Sequence, residues 1–181
     1  EAIYGFNSAA KMAPPLRSET DRLALIAALR DGTVDAIASD HAPHYEAELQ
    51  VEFDAVPFGI VGLETAVPLA IDRLVHGGIL SLAEMIAKFT EGPARILGVP
   101  GGTLTEGSPG DVTLLDPERI SEVRPERFAS RRRNTPFGGW KLKGCAAATV
   151  VGGKIVMNSM NDNRGEMTIA AGEGAHSGDA R

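Results

Sequence analysis

Cysteine is almost absent: Cys145 stands alone among 181 residues, so no intrachain disulfide can form. That economy suits a reducing compartment, and the cytoplasm is the expected location. Long apolar runs are missing as well. Residues 66–71 are interrupted by Pro68 and followed by Asp72 and Arg73, well short of the ~18–20 residues that cross a bilayer. Clustered cations are scarce, because the net charge is −6 and Arg131-Arg132-Arg133 is the one basic run. Nucleic-acid binding needs such clusters to displace counterions from phosphates, so no nucleic acid is expected as partner, and the arginine run reads as a solvated loop. No G-x-G-x-x-G or P-loop pattern offers backbone amides to a phosphate. There is no G-x-S-x-G elbow either, and Cys145 has no neighbouring histidine, so nucleophilic catalysis lacks support. The chain opens on Glu1 rather than Met, with no basic segment preceding an apolar one as in a signal peptide. A piece of a longer protein is the expectation.

What is present is the make-up of a globular protein, 43% apolar and 23% charged, and long enough for one sizeable core. Residues 1–17 read as a loop around Pro14-Pro15. Ser18 followed by Asp21 predicts a helix start, Leu23, Ile26, Ala27 and Leu29 give a helical stripe, and Gly32 suits the end. Residues 33–39 are short and mostly apolar, which predicts a buried strand. A polar stretch then leads to a helix over 63–76, a second capped at Ser81 and Glu84, and a third around Pro93 that Gly98 ends. Helices alternating with a buried strand predict an α/β architecture with a parallel sheet. Beyond Gly98 the texture changes to short β-prone pieces at 112–115, 147–151 and 154–157, with Gly152-Gly153 as a hairpin turn. From Met160 onward apolar residues become few, which predicts a disordered tail.

Chemistry concentrates at Ser39-Asp40-His41-Ala42-Pro43-His44, where a buried strand gives way to one carboxylate and two imidazoles. At the C-terminal end of a barrel strand an Asp faces substrate, and it can ligate a cation or accept a proton from activated water. The same spacing also fits Asp40 as a turn cap beside partly exposed histidines, so both readings stand at this point. It is not a complete zinc motif, since three or four ligands are needed. Of the four histidines, His76 reads as a helix-end residue and His176 as part of the tail. Residues 11–17 pair a stiff Pro-Pro turn with two flanking cations, Lys11 and Arg17, that can hold an anion. Pro57-Phe58-Gly59 can bring exposed backbone amides close to a planar ligand, or simply turn the chain into a helix. Glu64 and the acidic residues of 45–54 show no evident partner and read as solvated.

In this order, Lys11-Met12-Ala13-Pro14-Pro15-Leu16-Arg17, Asp31-Gly32-Thr33-Val34-Asp35, Ser39-Asp40-His41-Ala42-Pro43-His44 and Phe58-Gly59-Ile60-Val61-Gly62-Leu63-Glu64-Thr65 resemble the bacterial-type dihydroorotases of the amidohydrolase superfamily. Gly92-Pro93-Ala94-Arg95-Ile96-Leu97-Gly98, Gly107-Ser108-Pro109-Gly110-Asp111 and Asn134-Thr135-Pro136-Phe137 are consistent with it. Hydantoinases and allantoinases also carry Ser-Asp-His, but the continuation Ala42-Pro43-His44 is more similar to dihydroorotase.

The resemblance implies an α/β fold: the C-terminal part of a metal-dependent (β/α)8 TIM barrel followed by part of a small β-sandwich. Residues 1–98 would be the last βα units, 99–159 the sandwich part and 160–181 the tail. It implies reversible cyclisation of N-carbamoyl-aspartate to dihydroorotate in pyrimidine synthesis, with one or two Zn2+ ions. Asp40 would ligate zinc and shuttle the proton, His44 would bind the substrate carboxylate, and the Phe58-Gly59 backbone would read the ring. Ala13 stands where the family usually has a substrate-contacting Asn. The other metal ligands, an H-x-H pair, later histidines and a carboxylated lysine, would lie upstream of Glu1, so this chain alone should be inactive. The alternatives are another cyclic amidohydrolase, an allantoinase or hydantoinase, or a silent dihydroorotase-like subunit scaffolding aspartate carbamoyltransferase. The expected partner is a small-molecule substrate, with aspartate carbamoyltransferase as a second partner and no membrane.

Overall fold

A computed structural model describes residues 5–160 of the chain. The expected tail, except Met160, and His176 lie outside the described residues.

The first helix, α1 (Glu19–Asp31), starts where the sequence predicts. The Ser18 hydroxyl accepts the Asp21 N–H, the Asp21 carboxylate returns the bond to the Ser18 N–H, and Gly32 ends the helix at φ 83°. Its apolar stripe is only partly covered: Ile26 and Leu29 are half-buried and Leu23 is exposed.

Residues 33–39 depart from expectation. They are extended but belong to no ladder among the described residues, and none of them is buried. A strand needs neighbours to satisfy its backbone, and this segment finds helix ends instead. The Ile37 N–H donates to the Lys88 carbonyl at 2.9 Å, the Lys88 ammonium caps the Val34 carbonyl, and Arg95 pairs with Asp35 at 2.8 Å. One isolated parallel bridge, His41 to Ile60, marks the point where the segment reaches a second extended piece.

After a short turn of helix, α2 (Glu46–Leu49), the chain enters α3 (Ala66–Ala70), which widens into a π-helical turn over Ile71–Val75. This element is shorter than the expected 63–76. Residues 63–65 are spent on a turn in which the Thr65 and Ala66 N–H groups both reach the Gly62 carbonyl. Then come α4 (Leu82–Phe89), with the expected Ser81–Glu84 capping box, and α5 (Glu91–Leu97), ended by Gly98 at φ 64°.

The β-rich part is a three-stranded antiparallel sheet in the order β1-β2-β3: β1 (Val112–Glu122), β2 (Lys141–Val151) and β3 (Lys154–Asn158). β1 and β2 both run further than their apolar cores suggested. Val112 faces Val150 and Glu122 faces Lys141, with a break in register between Asp116 and Ile120. Pro117 explains the break: it has no N–H for the ladder, so the edge strand bulges there. The Asp116 carboxylate then accepts the Glu118 and Arg119 N–H groups that the bulge frees, each at 3.1 Å. The Gly152-Gly153 hairpin forms as expected, both residues at positive φ.

Two small cores tie these parts together. Val61, Val123, Phe128 and Leu142 form one; Ala70, Ile71, Leu80 and Met85 form the other, with Leu115 of β1 packed against it. Helix and sheet therefore share their buried residues, and the loops at 40–44 and 58–62 lie at this junction.

Candidate active site at the end of an extended segment

Asp40 ends the extended segment in an uncommon conformation, φ 43°, a region that Asp enters more readily than most residues. Its side chain is exposed, and among the described residues no donor reaches the carboxylate. The cap reading therefore finds no bond to support it.

The segment that follows is tightly held. The Ala42 N–H donates to the Ile60 carbonyl at 2.8 Å, and the Gly62 N–H donates to His41 Nδ1 at 3.2 Å. A neutral His41 thus keeps its proton on Nε2. Gly62 is indispensable to this approach, because a Cβ there would lie 2.5 Å from the Ser39 carbonyl oxygen.

His44 Nε2 lies 2.8 Å from the Phe58 carbonyl oxygen; a carbonyl only accepts, so Nε2 carries the proton. Gly59 sits at φ 107°, and a Cβ built on it would come 2.5 Å from the Ala42 Cβ. Glycine is thus what lets the 58–60 segment lie against the 42–44 loop. The Gly59 amide, expected to be exposed, is buried and donates to the Lys11 carbonyl at 2.8 Å. Asp40, His44, Phe58 and Gly59 accordingly fall on two adjoining segments of backbone.

Three readings made from sequence need correction. Lys11 does not stand ready for an anion: it is 8% exposed, and its ammonium donates to the carbonyls of Phe53, Asp54 and Val56 at 2.7, 3.0 and 2.7 Å. Its cation also lies 4.6 Å from the centre of the Phe58 ring. Three carbonyls on one ammonium replace its hydration and consume its donors, while Arg17 pairs outward with Asp21. Glu64 is not solvated: one oxygen accepts the Ser130 N–H at 2.8 Å, and the other is buried without a hydrogen-bond partner among the described residues. In the 45–54 loop, Glu48 caps α2 by accepting the Tyr45 N–H at 2.7 Å. For Lys11 and Glu64 the reason is the same: spacing along the chain does not reveal which backbone groups return from dozens of residues away, whereas the Glu48 cap is local.

Asn134 was missed as a site residue. It is 5% exposed, and its amide joins both segments of the candidate site. Oδ1 accepts the His44 N–H at 3.0 Å, and Nδ2 donates to the carbonyls of Ala42 and Gly59 at 2.8 and 3.3 Å. Its own carbonyl accepts the Val61 N–H at 2.9 Å. The signal that could have found it is Asn134-Thr135-Pro136-Phe137, a polar residue opening a stiff turn just after the arginine run.

The donor chemistry at Asp40 fits one ligand of a borderline cation. Among the described residues, however, no group of three or more His, Cys, Asp or Glu stands close enough to hold a metal ion. The described residues thus offer a donor without a closed metal site. No described helix is long and apolar enough to cross a membrane.

Residues 10–156 match the model of the amidohydrolase family. The chain is 52% identical over 157 residues to the dihydroorotase of Pelotomaculum thermopropionicum, covering 87% of this chain and 37% of that protein. It is 52% identical over 156 residues to the dihydroorotase of a Geobacillus species, covering 86% and 36%. Among solved structures it superposes on an L-hydantoinase from Arthrobacter aurescens with a TM-score of 0.78 at 30% identity, covering 88% of this chain and 35% of that one. A dihydropyrimidinase from Brevibacillus agri shares the fold at TM-score 0.77 and 23% identity, covering 84% and 34%. This chain thus spans little more than a third of the length of the relatives it matches.

Proposed function

From the premise that the chain belongs to the amidohydrolase family, we propose that it is the part of a dihydroorotase that carries the acid–base carboxylate and the substrate-carboxylate contact. The reaction is the reversible closure of N-carbamoyl-aspartate to dihydroorotate. Identity favours this substrate over a hydantoin: 52% to dihydroorotases against 30% to the L-hydantoinase.

One observation carries the reading. The protonated Nε2 of His44 and the Phe58 carbonyl satisfy each other at 2.8 Å at an exposed position. A ligand that presents an acceptor to the one and a donor to the other can replace that bond without leaving either group unpaired. A ring N–H beside a carboxylate, as in dihydroorotate, has that complementarity.

In this scheme Asp40 accepts the proton released as water attacks the ring carbonyl, then delivers it to the departing ring nitrogen. His44 pairs with the substrate carboxylate, and the Phe58-Gly59 backbone lies along the ring edge. Zinc, with Asp40 as one of its ligands, would supply Lewis-acid polarisation when bound. Its remaining ligands would come from the part of the relatives' length that this chain does not span. Residues 1–98 would then belong to a (β/α)8 barrel and 99–159 to a small β-sandwich. The setting would be the reducing cytoplasm.

The test is dihydroorotate hydrolysis by the protein made from its complete reading frame, with Asp40→Asn alongside. The expected result is chelator-sensitive turnover, reduced at least about a hundredfold in the variant while its fold persists. Turnover that survives Asp40→Asn would sink the assigned role. Hydrolysis of hydantoin but not of dihydroorotate would sink the substrate.

A further inference from the structure

We infer that Asn134 is a positioning residue of this reaction, holding the His44 loop and the Phe58-Gly59 segment at the separation that substrate needs. The inference rests on the dihydroorotase reading and deepens it. Four bonds support it, three from the side chain. Oδ1 takes the His44 N–H at 3.0 Å, Nδ2 gives to Ala42 and Gly59 at 2.8 and 3.3 Å, and the main-chain carbonyl takes the Val61 N–H at 2.9 Å.

The bonding pattern is specific to an amide. Two carbonyls and one N–H converge on Asn134, so its partner must donate and accept from one short, planar group. Aspartate would keep the His44 contact and set a carboxylate oxygen against two carbonyls. Alanine would leave all three backbone groups without their partner, and at 5% exposure water cannot readily replace it.

The position also has a consequence for function. His44 and the Phe58-Gly59 segment meet at a single exposed ring-to-carbonyl bond of 2.8 Å, which substrate is proposed to replace. Once that bond opens, the hydrogen bonds between these segments that do not involve Asn134 lie at Ala42 and His41, on the side toward Ile60 and Gly62. Asn134 remains to fix the His44 main chain itself. Asn134 touches no substrate in this scheme; it acts through His44 and Gly59, and the loss should fall on substrate binding.

The experiment uses Asn134→Ala and Asn134→Asp in the protein from the complete reading frame. Steady-state kinetics with dihydroorotate are measured beside amide hydrogen exchange resolved at His44 and Val61. The expected outcome is a KM raised about tenfold or more with kcat within about threefold, since the displaced contacts bind substrate rather than move the proton. Exchange at His44 in Asn134→Ala should speed up about tenfold or more, while Val61, bonded to the main chain of Asn134, keeps its protection. A lowered melting temperature with unchanged KM would reduce Asn134 to a stabilising residue and overturn the inference. Should Asn134→Ala not fold, Asn134→Asp carries the same kinetic test. If the unsubstituted protein does not turn over dihydroorotate, the substrate reading fails, and the exchange contrast at His44 alone decides whether Asn134 anchors this loop.

Discussion

Gly59 concentrates at one residue two demands that no other amino acid meets. Its φ of 107° is a conformation that L side chains rarely adopt, and its missing Cβ leaves the space the Ala42 methyl occupies. Gly59→Ala therefore combines backbone strain with a clash at 2.5 Å, and the 42–44 loop must retreat. The expected destabilisation is about 1–3 kcal/mol, read from denaturant melts, together with a weakened affinity for substrate. An Ala variant with unchanged melting and unchanged KM would show that the 58–60 segment does not need this approach. Asp40 is the residue-level counterpart: at φ 43° and with no donor among the described residues, its carboxylate remains available for chemistry.

At the scale of elements, α1 and α4 each begin with a reciprocal serine–carboxylate cap. The backbone N–H and then the hydroxyl of Ser81 hold the Glu84 carboxyl below the usual glutamate range, while the hydroxyl and then the N–H of Ser18 do the same for Asp21. A lowered folded-state value means that the native caps prefer the ionised carboxylate. Their contribution is thus fully present above the ordinary carboxylate range and is lost as pH falls through the lower, native value. Residue-resolved NMR shifts followed on acidification should accordingly show fraying earlier at the starts of α1 and α4 than at the uncapped α3. Ser81→Ala should cost about 1 kcal/mol at neutral pH, and a variant that melts like the parent would mean that α4 is held by packing alone. In β1 the local device differs: Pro117 breaks the ladder and Asp116 collects the freed N–H groups, so the edge strand bends without orphaned donors.

For the whole molecule, one contact that fastens sheet to helices is Gly144 of β2 against Ile71. At φ 104°, a Cβ on Gly144 would fall 2.2 Å from the fully buried Ile71 side chain. Gly144→Ala should cost about 3 kcal/mol or more, because strain and overpacking add in a place that cannot give way. A loss below about 1 kcal/mol in denaturant melts would show the junction to be pliable. Part of the helical region is poorly covered: Leu63, Ile96 and Leu97 are 63%, 60% and 72% exposed, next to segment 33–39, which joins no sheet among the described residues. Apolar surface beside an open backbone edge invites association, so the 181-residue chain by itself should form concentration-dependent oligomers or aggregates. Sedimentation showing one monomeric species across a wide concentration range would refute this.

What the sequence determined by itself is local in its physics. The capping boxes at Ser18 and Ser81, the glycine stops at 32 and 98, and the Gly152-Gly153 hairpin depend on residues within a few positions of one another, and each formed as read. The Asp40–His44 cluster was legible for the same reason, since carboxylate and imidazoles lie within five residues. Tertiary structure decided the remainder. Whether 33–39 becomes a strand depends on neighbours that no local pattern supplies, and the described residues give it helix ends. Lys11 turned from an anion candidate into a buried anchor because three carbonyls return to it from more than forty residues away. Asn134 lies ninety residues from the His44 N–H it holds. Hydrogen bonds that close over such distances form only once the chain has folded, so the groups that steady this site were settled in space rather than in sequence.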